Sequence, residues 1–195
     1  MAQNGTHALI TGSSRGIGRG IALKLAEGGV RVAVHYYQNE AAALDTLAQV
    51  RKRGSDGFVV QADVLQPDQI TRMFRTVRDR FGKLDIFVSN ARPEAPAFFS
   101  PPMDITLAQW DTAFDSQAKA FLVGVREAIP LMGTGGRILA ITYAEGAVRA
   151  ASSRGSAWDP PRRRWSRSFG TSRWRSPSAE SPSMRSVLAG PRTAS

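Results

Sequence analysis

Residues 11–18 read T-G-S-S-R-G-I-G, and this string constrains the fold more than any other part of the chain. The apolar run Ala8, Leu9 and Ile10 leads into it. Ile21, Ala22, Leu23, Leu25 and Ala26 follow with helical character. A strand, a glycine-rich turn and a helix together aim backbone N–H groups at an anion, above all a phosphate. Glycine lets the ligand approach where a side chain would stand in the way. The spacing is G-x-x-x-G-x-G, not the G-x-G-x-x-G of the common dinucleotide fingerprint. A tight strand–helix turn without a ligand is the plainer alternative; the flanking elements favour the ligand.

The chain beyond the turn alternates between two hydrophobic periods. Residues 30–35 form a β-branched run and predict a second strand. Helical spacing through Ala42, Leu44, Leu47 and Val50 predicts a helix over 39–53, closed by Gly54. Residues 57–62 predict a third strand. Ile70, Met73, Phe74, Val77 and Phe81 form a helix stripe over Pro67–Phe81. Residues 84–88 predict a fourth strand, and a Pro-rich loop runs to Pro102. A largely helical segment over 106–132 should bury Trp110, Phe114, Phe121, Leu122 and Val125. A fifth strand follows at 137–142. Alternating strands and helices with short connections imply an α/β fold with a doubly wound parallel sheet. Ligands of such sheets sit at the strand C-termini, where the strand order reverses.

With 195 residues the chain is long enough for one domain with a real core. It has no cysteine, which removes disulfides and thiolate chemistry and suits a reducing, cytoplasmic setting. The first residues have no signal-peptide pattern, and no apolar stretch approaches the length of a membrane span.

The string T-G-S-S-R-G-I-G resembles the short-chain dehydrogenase/reductase family, and the resemblance runs over about the first three quarters of the chain. It implies a Rossmann-like NAD(P)(H)-binding domain over 1–150. Gly12, Gly16 and Gly18, with Ser14 and Ile17, would line the cofactor diphosphate. Arg15 could fork onto a 2′-phosphate, or be a solvated surface cation. The second strand ends His35, Tyr36, Tyr37, without the carboxylate that usually holds NAD ribose hydroxyls, which favours NADP(H) over NAD(H). Asp63 and Val64 match the family's D-V pair, whose acid contacts the adenine amine; Asp63 could equally cap the next helix. Residues 89–92, S-N-A-R, resemble the family's N-N-A-G. There Asn90 would hold the central strands together beside Ala91 and face the cofactor, or be a turn residue only.

The family's chemistry uses an Asn, a Ser, a Tyr and a Lys. The Tyr moves a proton while hydride moves to or from the nicotinamide, and the Lys lowers the Tyr pKa. The Asn position falls near Asp115 to Ala118, which contains none. The Ser position falls at Thr142 and Tyr143, which could donate a hydrogen bond to a carbonyl or simply pack. The Tyr-x-x-x-Lys motif is absent: Tyr143 is the last Tyr and Lys119 the last Lys.

From about Ala151 the texture changes. Residues 151–195 carry nine Arg, no Lys, and only Asp159 and Glu180, a large share of the chain's +10 net charge. Ser, Arg, Pro and Trp dominate without a period, as in GC-rich coding sequence read out of frame. One base from each codon joined to two from the next tests this. Residues 162–175 then permit K-A-A-L-E-S-L-V-R-Y-F-A-V-A, and 181–189 permit I-T-V-N-A-V-S-P-G. A helix and a strand of this kind are what the family carries after its catalytic Tyr. Residues 158–162 permit M-G-P-A-K, which restores a Lys and leaves Met at the Tyr position. The tail over 151–195 is thus expected to be non-native, disordered and shifted in frame.

The overall string is most similar to enoyl- and 3-oxoacyl-acyl-carrier-protein reductases of fatty acid biosynthesis. The resemblance implies a small-molecule or acyl-carrier-protein thioester substrate and an oligomeric parent. Loss of the following helix and strands should expose an apolar sheet edge and helix face and prevent the usual subunit interface. Two other readings stay open. Arg162 to Arg164, Arg167, Arg173 and Arg175 interleave with Trp165, Phe169 and Trp174, a pattern that suits RNA; the frame shift explains it without selection for nucleic acid. A regulatory pseudoenzyme that senses NADP(H) is the other.

Overall fold

The computed structural model describes residues 5–92 and 102–142. Five strands form one parallel sheet: β1 (His7–Ile10), β2 (Arg31–Tyr36), β3 (Gly57–Gln61), β4 (Ile86–Ser89) and β5 (Arg137–Ala140). Their order is β3-β2-β1-β4-β5. The chain winds outward through β2 and β3, then returns to β4 on the other side of β1. The order therefore reverses between β1 and β4, the place where open α/β sheets hold ligands. Ile10, the last residue of β1, pairs with Val34 on one side and Val88 on the other, and β2 and β4 run on past it to Tyr36 and Ser89.

Helices cover both faces: α1 (Gly16–Glu27), α2 (Glu40–Lys52), α3 (Pro67–Phe81), α4 (Leu107–Phe114) and α5 (Ala120–Ala128). The strands sort their side chains by alternation. Ala8, Ile10, Val32, Val34, Ile86 and Val88 pack with Ala22 of α1 and Ala43 of α2. Leu9, Ala33, Phe58 and Phe87 pack with Met73, Phe74 and Val77 of α3 and Ala128 of α5. Burial on both sides is why β1 and β4 are apolar with almost no polar interruption.

α3 shows how closely pattern can dictate packing. Pro67 opens it, Gly82 ends it in the left-handed region at φ 75°, and all five stripe residues are buried. Asn39 caps α2 by accepting the Ala42 N–H at 2.9 Å. The buried face of α2 is Ala43, Thr46, Leu47 and Val50, and Leu44 is exposed, contrary to the expectation that it lies in the stripe.

The segment over 106–132 departs further from expectation. It is α4, a π-turn over Asp115–Lys119, α5, and a 3-10 turn over Ile129–Leu131. Trp110 and Leu122 are 47% and 40% exposed, and Phe114, Phe121 and Val125 are only half-buried. The buried residues are Ala113, Ser116, Gln117, Gly124 and Ala128. The cause is close approach: a Cβ on Gly124 would lie 2.7 Å from Phe87 Cζ, so the small face meets the sheet. Trp110 and Leu122 are thereby turned away, while Phe121 and Val123 pack only at the margin of the core. β5 is likewise open, with Leu139 and Ala140 exposed. Among the described residues no helix is long and apolar enough to cross a membrane.

Candidate functional site

The strand-end turn owes its shape to three glycines, each for a different reason. Gly12 has φ 67°, and a Cβ there would lie 3.0 Å from Ala91 Cα. Gly16 has φ 58° with nothing within 4 Å of an added Cβ, so conformation requires it and the space beyond is open. Gly18 is buried, and a Cβ there would overlap the Gly12 carbonyl and approach Asn90 Nδ2 to 2.6 Å. Two of the three glycines therefore serve packing of the turn itself. The first N–H to bond inside α1 is that of Arg19, to the Arg15 carbonyl at 3.2 Å. The N–H groups of Gly16, Ile17 and Gly18 come ahead of that bond, at the positive end of the helix.

Asn90 holds the turn from the β4 side. Its amide donates to the Thr11 carbonyl at 2.9 Å and the Gly12 carbonyl at 3.2 Å. Thr11 Oγ1 accepts the N–H groups of Asn90 and Ala91 at 2.9 and 3.0 Å. β1 and β4 are thus joined beyond their last ladder bond. Asn90→Leu should cost about 2 kcal/mol by stranding the two carbonyls, read as a lower urea midpoint at unchanged m-value.

His35 holds it from the β2 side. The Gly12 N–H donates to His35 Nδ1 at 2.8 Å, and His35 Nε2 lies 3.0 Å from the Ala62 carbonyl, to which it donates. The ring is neutral, and burial drives its pKa down to about 4. Ser13 completes this seam: its Oγ donates to the Ile10 carbonyl at 2.7 Å and accepts the His35 N–H at 2.9 Å. The Ser14 carbonyl accepts Arg19 Nη2 at 2.8 Å and Thr46 Oγ1 at 3.1 Å. Arg19 also reaches Asp45 at 3.1 Å and so ties α1 to α2. His35, Ser13, Arg19 and Thr46 were not among the sequence-derived site residues. For His35, a polar residue after the apolar run 32–34 was the one visible signal.

The remaining expected residues fall around this frame. Arg15 is exposed and immediately precedes α1, and Ile17 presents its side chain to solvent at 67% exposure. Tyr36 ends β2, and its hydroxyl is held above the usual phenol range by burial and by the Glu40 carboxylate next to it. That carboxylate comes from the first turn of α2. Asp63 is not the cap of α3: that position is Gln66, with no side-chain bond. The Asp63 carboxylate instead accepts the Leu65 N–H at 2.9 Å, a local turn, and its N–H donates to Gln69 Oε1 at 2.9 Å. Val64 and Ala91 line a small cavity with Thr11, Ser89, Met73 and Ser116. It lies at the sheet's switch point, and the π-turn supplies Ser116 to it. Thr142 is exposed, just past the Ile141 N–H bond to the Ser89 carbonyl at 2.9 Å. Tyr143 and the tail over 151–195 lie outside the described residues.

A family profile described as enoyl-(acyl carrier protein) reductase matches residues 12–156. The chain belongs to the short-chain dehydrogenase/reductase family. As a member it is 43% identical over 143 residues to 1-cyclohexenylcarbonyl-CoA reductase of Streptomyces collinus, covering 73% of this chain and 50% of that protein. It is 36% identical over 143 residues to the 3-oxoacyl-[acyl-carrier-protein] reductase FabG of Staphylococcus aureus, covering 72% and 57%. This short-chain dehydrogenase/reductase thus spans about half the length of the curated relatives it matches. Among solved structures it resembles a short chain dehydrogenase from Burkholderia cenocepacia in complex with NADP, at TM-score 0.69 and 29% identity over 87% of this chain and 69% of that one. It also resembles the ketoreductase LanV with bound NADP and rabelomycin, at TM-score 0.68 and 32% identity over 87% and 73%.

Proposed function

We propose that the chain binds NADP(H) across the turn between β1 and α1. We propose further that it descends from an oxidoreductase that moves hydride to or from a carbonyl or enoyl substrate. One observation carries the binding half: Gly16 opens onto empty space at the start of α1, while a Cβ on Gly18 would overlap the Gly12 carbonyl and one on Gly12 would press on Ala91. That cradle fits a diphosphate, and Gly16, Ile17 and Gly18 would hold it. Bound, the cofactor supplies or accepts hydride. Arg15 would meet the 2′-phosphate, and the likeness to a short chain dehydrogenase and a ketoreductase solved with NADP supports the choice of NADP(H) over NAD(H). Asp63, Val64, Asn90 and Ala91 border the same strand ends. The relatives' names support a thioester of coenzyme A or acyl-carrier-protein type as the parent substrate.

Turnover is a separate matter. With no Tyr after Tyr143 and no Lys after Lys119, the chain as it stands has no Tyr-x-x-x-Lys pair to move the proton. The proposed organisation is therefore a cofactor domain over 1–150 followed by a frame-shifted segment over 151–195. Exposed Leu107, Trp110, Leu122 and Leu139 fit a chain that has lost what covers them in its parent. NADPH fluorescence separates the two halves of the reading. Saturable quenching without reduction of a 3-oxoacyl or enoyl thioester is expected. No quenching at millimolar cofactor sinks the binding half, and turnover by the unaltered chain sinks the other. Arg15→Ala should weaken NADPH by about tenfold and leave NADH nearly unchanged, since only the former has a phosphate for the guanidinium.

A further inference from the structure

We propose that His35 is a positioning residue for the nucleotide, acting through the Gly12 peptide; the inference rests on the cofactor reading above. The Gly12 N–H points into the protein, onto His35 Nδ1 at 2.8 Å, so this amide does not face a ligand. The Gly12 carbonyl is held on the opposite side by Asn90 at 3.2 Å. A glycine at φ 67° is thus gripped at both ends of its backbone, by one side chain from β2 and one from the end of β4. That grip fixes the direction in which the chain leaves Gly12, and so where the first amides of α1 are aimed.

The imidazole suits the task because it must accept at one end and donate at the other. Nδ1 takes the Gly12 N–H while Nε2 donates to Ala62 just past β3, so one ring spans from the turn across β2 to the neighbouring strand. The His35 backbone is pinned as well, exchanging bonds with Ser13 at 2.9 and 3.0 Å. Lys and Arg have no acceptor, and Leu has neither function. Asn keeps an acceptor where Nδ1 stands and loses the reach to Ala62. The charged group facing the ring is Asp63, on the connection after β3.

Three variants test this: His35→Asn, His35→Leu, and Val77→Ala, a core truncation on α3 remote from the turn. NADPH dissociation constants and urea midpoints are measured for each, with imidazole nitrogen shifts for the unaltered protein. His35→Leu should weaken NADPH by about tenfold, the loss of one hydrogen bond. His35→Asn should stay within about threefold of the parent, and Val77→Ala should bind normally although it is less stable. Equal affinity for His35→Leu and the parent overturns the proposal. So does equal weakening in His35→Asn, or a comparable loss in Val77→Ala. If His35→Leu does not fold, His35→Asn and the shifts decide: Nδ1 protonated and Nε2 bare would refute the grip. Failure of the unaltered chain to bind NADPH, with the expected tautomer in place, overturns the cofactor reading instead and the positioning role with it.

Discussion

Gly18→Ala is expected to cost about 3 kcal/mol of stability and to abolish nucleotide binding with it. Helix propensity alone predicts the opposite sign, since alanine in a helix is about 1 kcal/mol better than glycine. The local geometry outweighs that preference. A Cβ on Gly18 would overlap the Gly12 carbonyl and come within 2.6 Å of Asn90 Nδ2. The carbonyl belongs to backbone that His35 and Asn90 already hold from two sides, so it cannot yield cheaply. Relief requires α1 to lift from the turn, which moves the amides of its first turn away from the sheet's ligand site. Gly20 provides the control within the same helix. A Cβ there meets nothing within 4 Å, and Gly20→Ala should raise stability by up to about 1 kcal/mol without touching NADPH affinity. Equal effects of the two substitutions in chemical denaturation would remove the packing argument.

The fold was readable because its two periods are clean. The α3 stripe, the β-branched second strand and the glycine turn each admit one structure, and together they give a parallel sheet with helices on both faces. The segment over 106–132 was not readable in the same way. Periodicity shows that it is helical, but it carries both a large apolar stripe and a small one. The small one meets the sheet because Gly124 lies against the Phe87 ring, and a sequence pattern contains no such distance. Leu44 was misplaced for a related reason: Ala43, Thr46 and Val50 already complete the buried face of α2.

The site divides along the same line. A phosphate turn is a local motif, so Gly12, Gly16 and Gly18 stand out in the string. Its supports come from elsewhere in the chain: Asn90 from just past β4, His35 from β2, Thr46 from α2. They become neighbours only when the sheet forms, which is why Asp63 looked like a helix cap and His35 like the mere absence of an acid. Glu40 lies four residues beyond Tyr36 in the chain, and only the start of α2 brings it to the tyrosine hydroxyl.

Acid should destabilise this protein well before its carboxylates titrate. In the fold His35 takes a proton only near pH 4, because the buried ring would have to give up the Gly12 N–H and carry a charge away from water. In the unfolded chain it takes one at its ordinary value of 6.5. Above that value both states are neutral and the residue adds no pH dependence. Between 6.5 and about 4 the unfolded state holds more protons, so stability falls as pH falls. The loss levels off below pH 4 at about 3 kcal/mol, a large part of what a domain of this size commands. His7, the other histidine, also has its pKa lowered by burial, and therefore shifts stability in the same direction. His35→Asn cannot titrate, so its stability curve should be flatter across this window even if it starts lower. Urea midpoints taken at intervals from pH 7.5 downward check this. Parallel curves for the parent and His35→Asn would show that the ring is not held neutral in the fold.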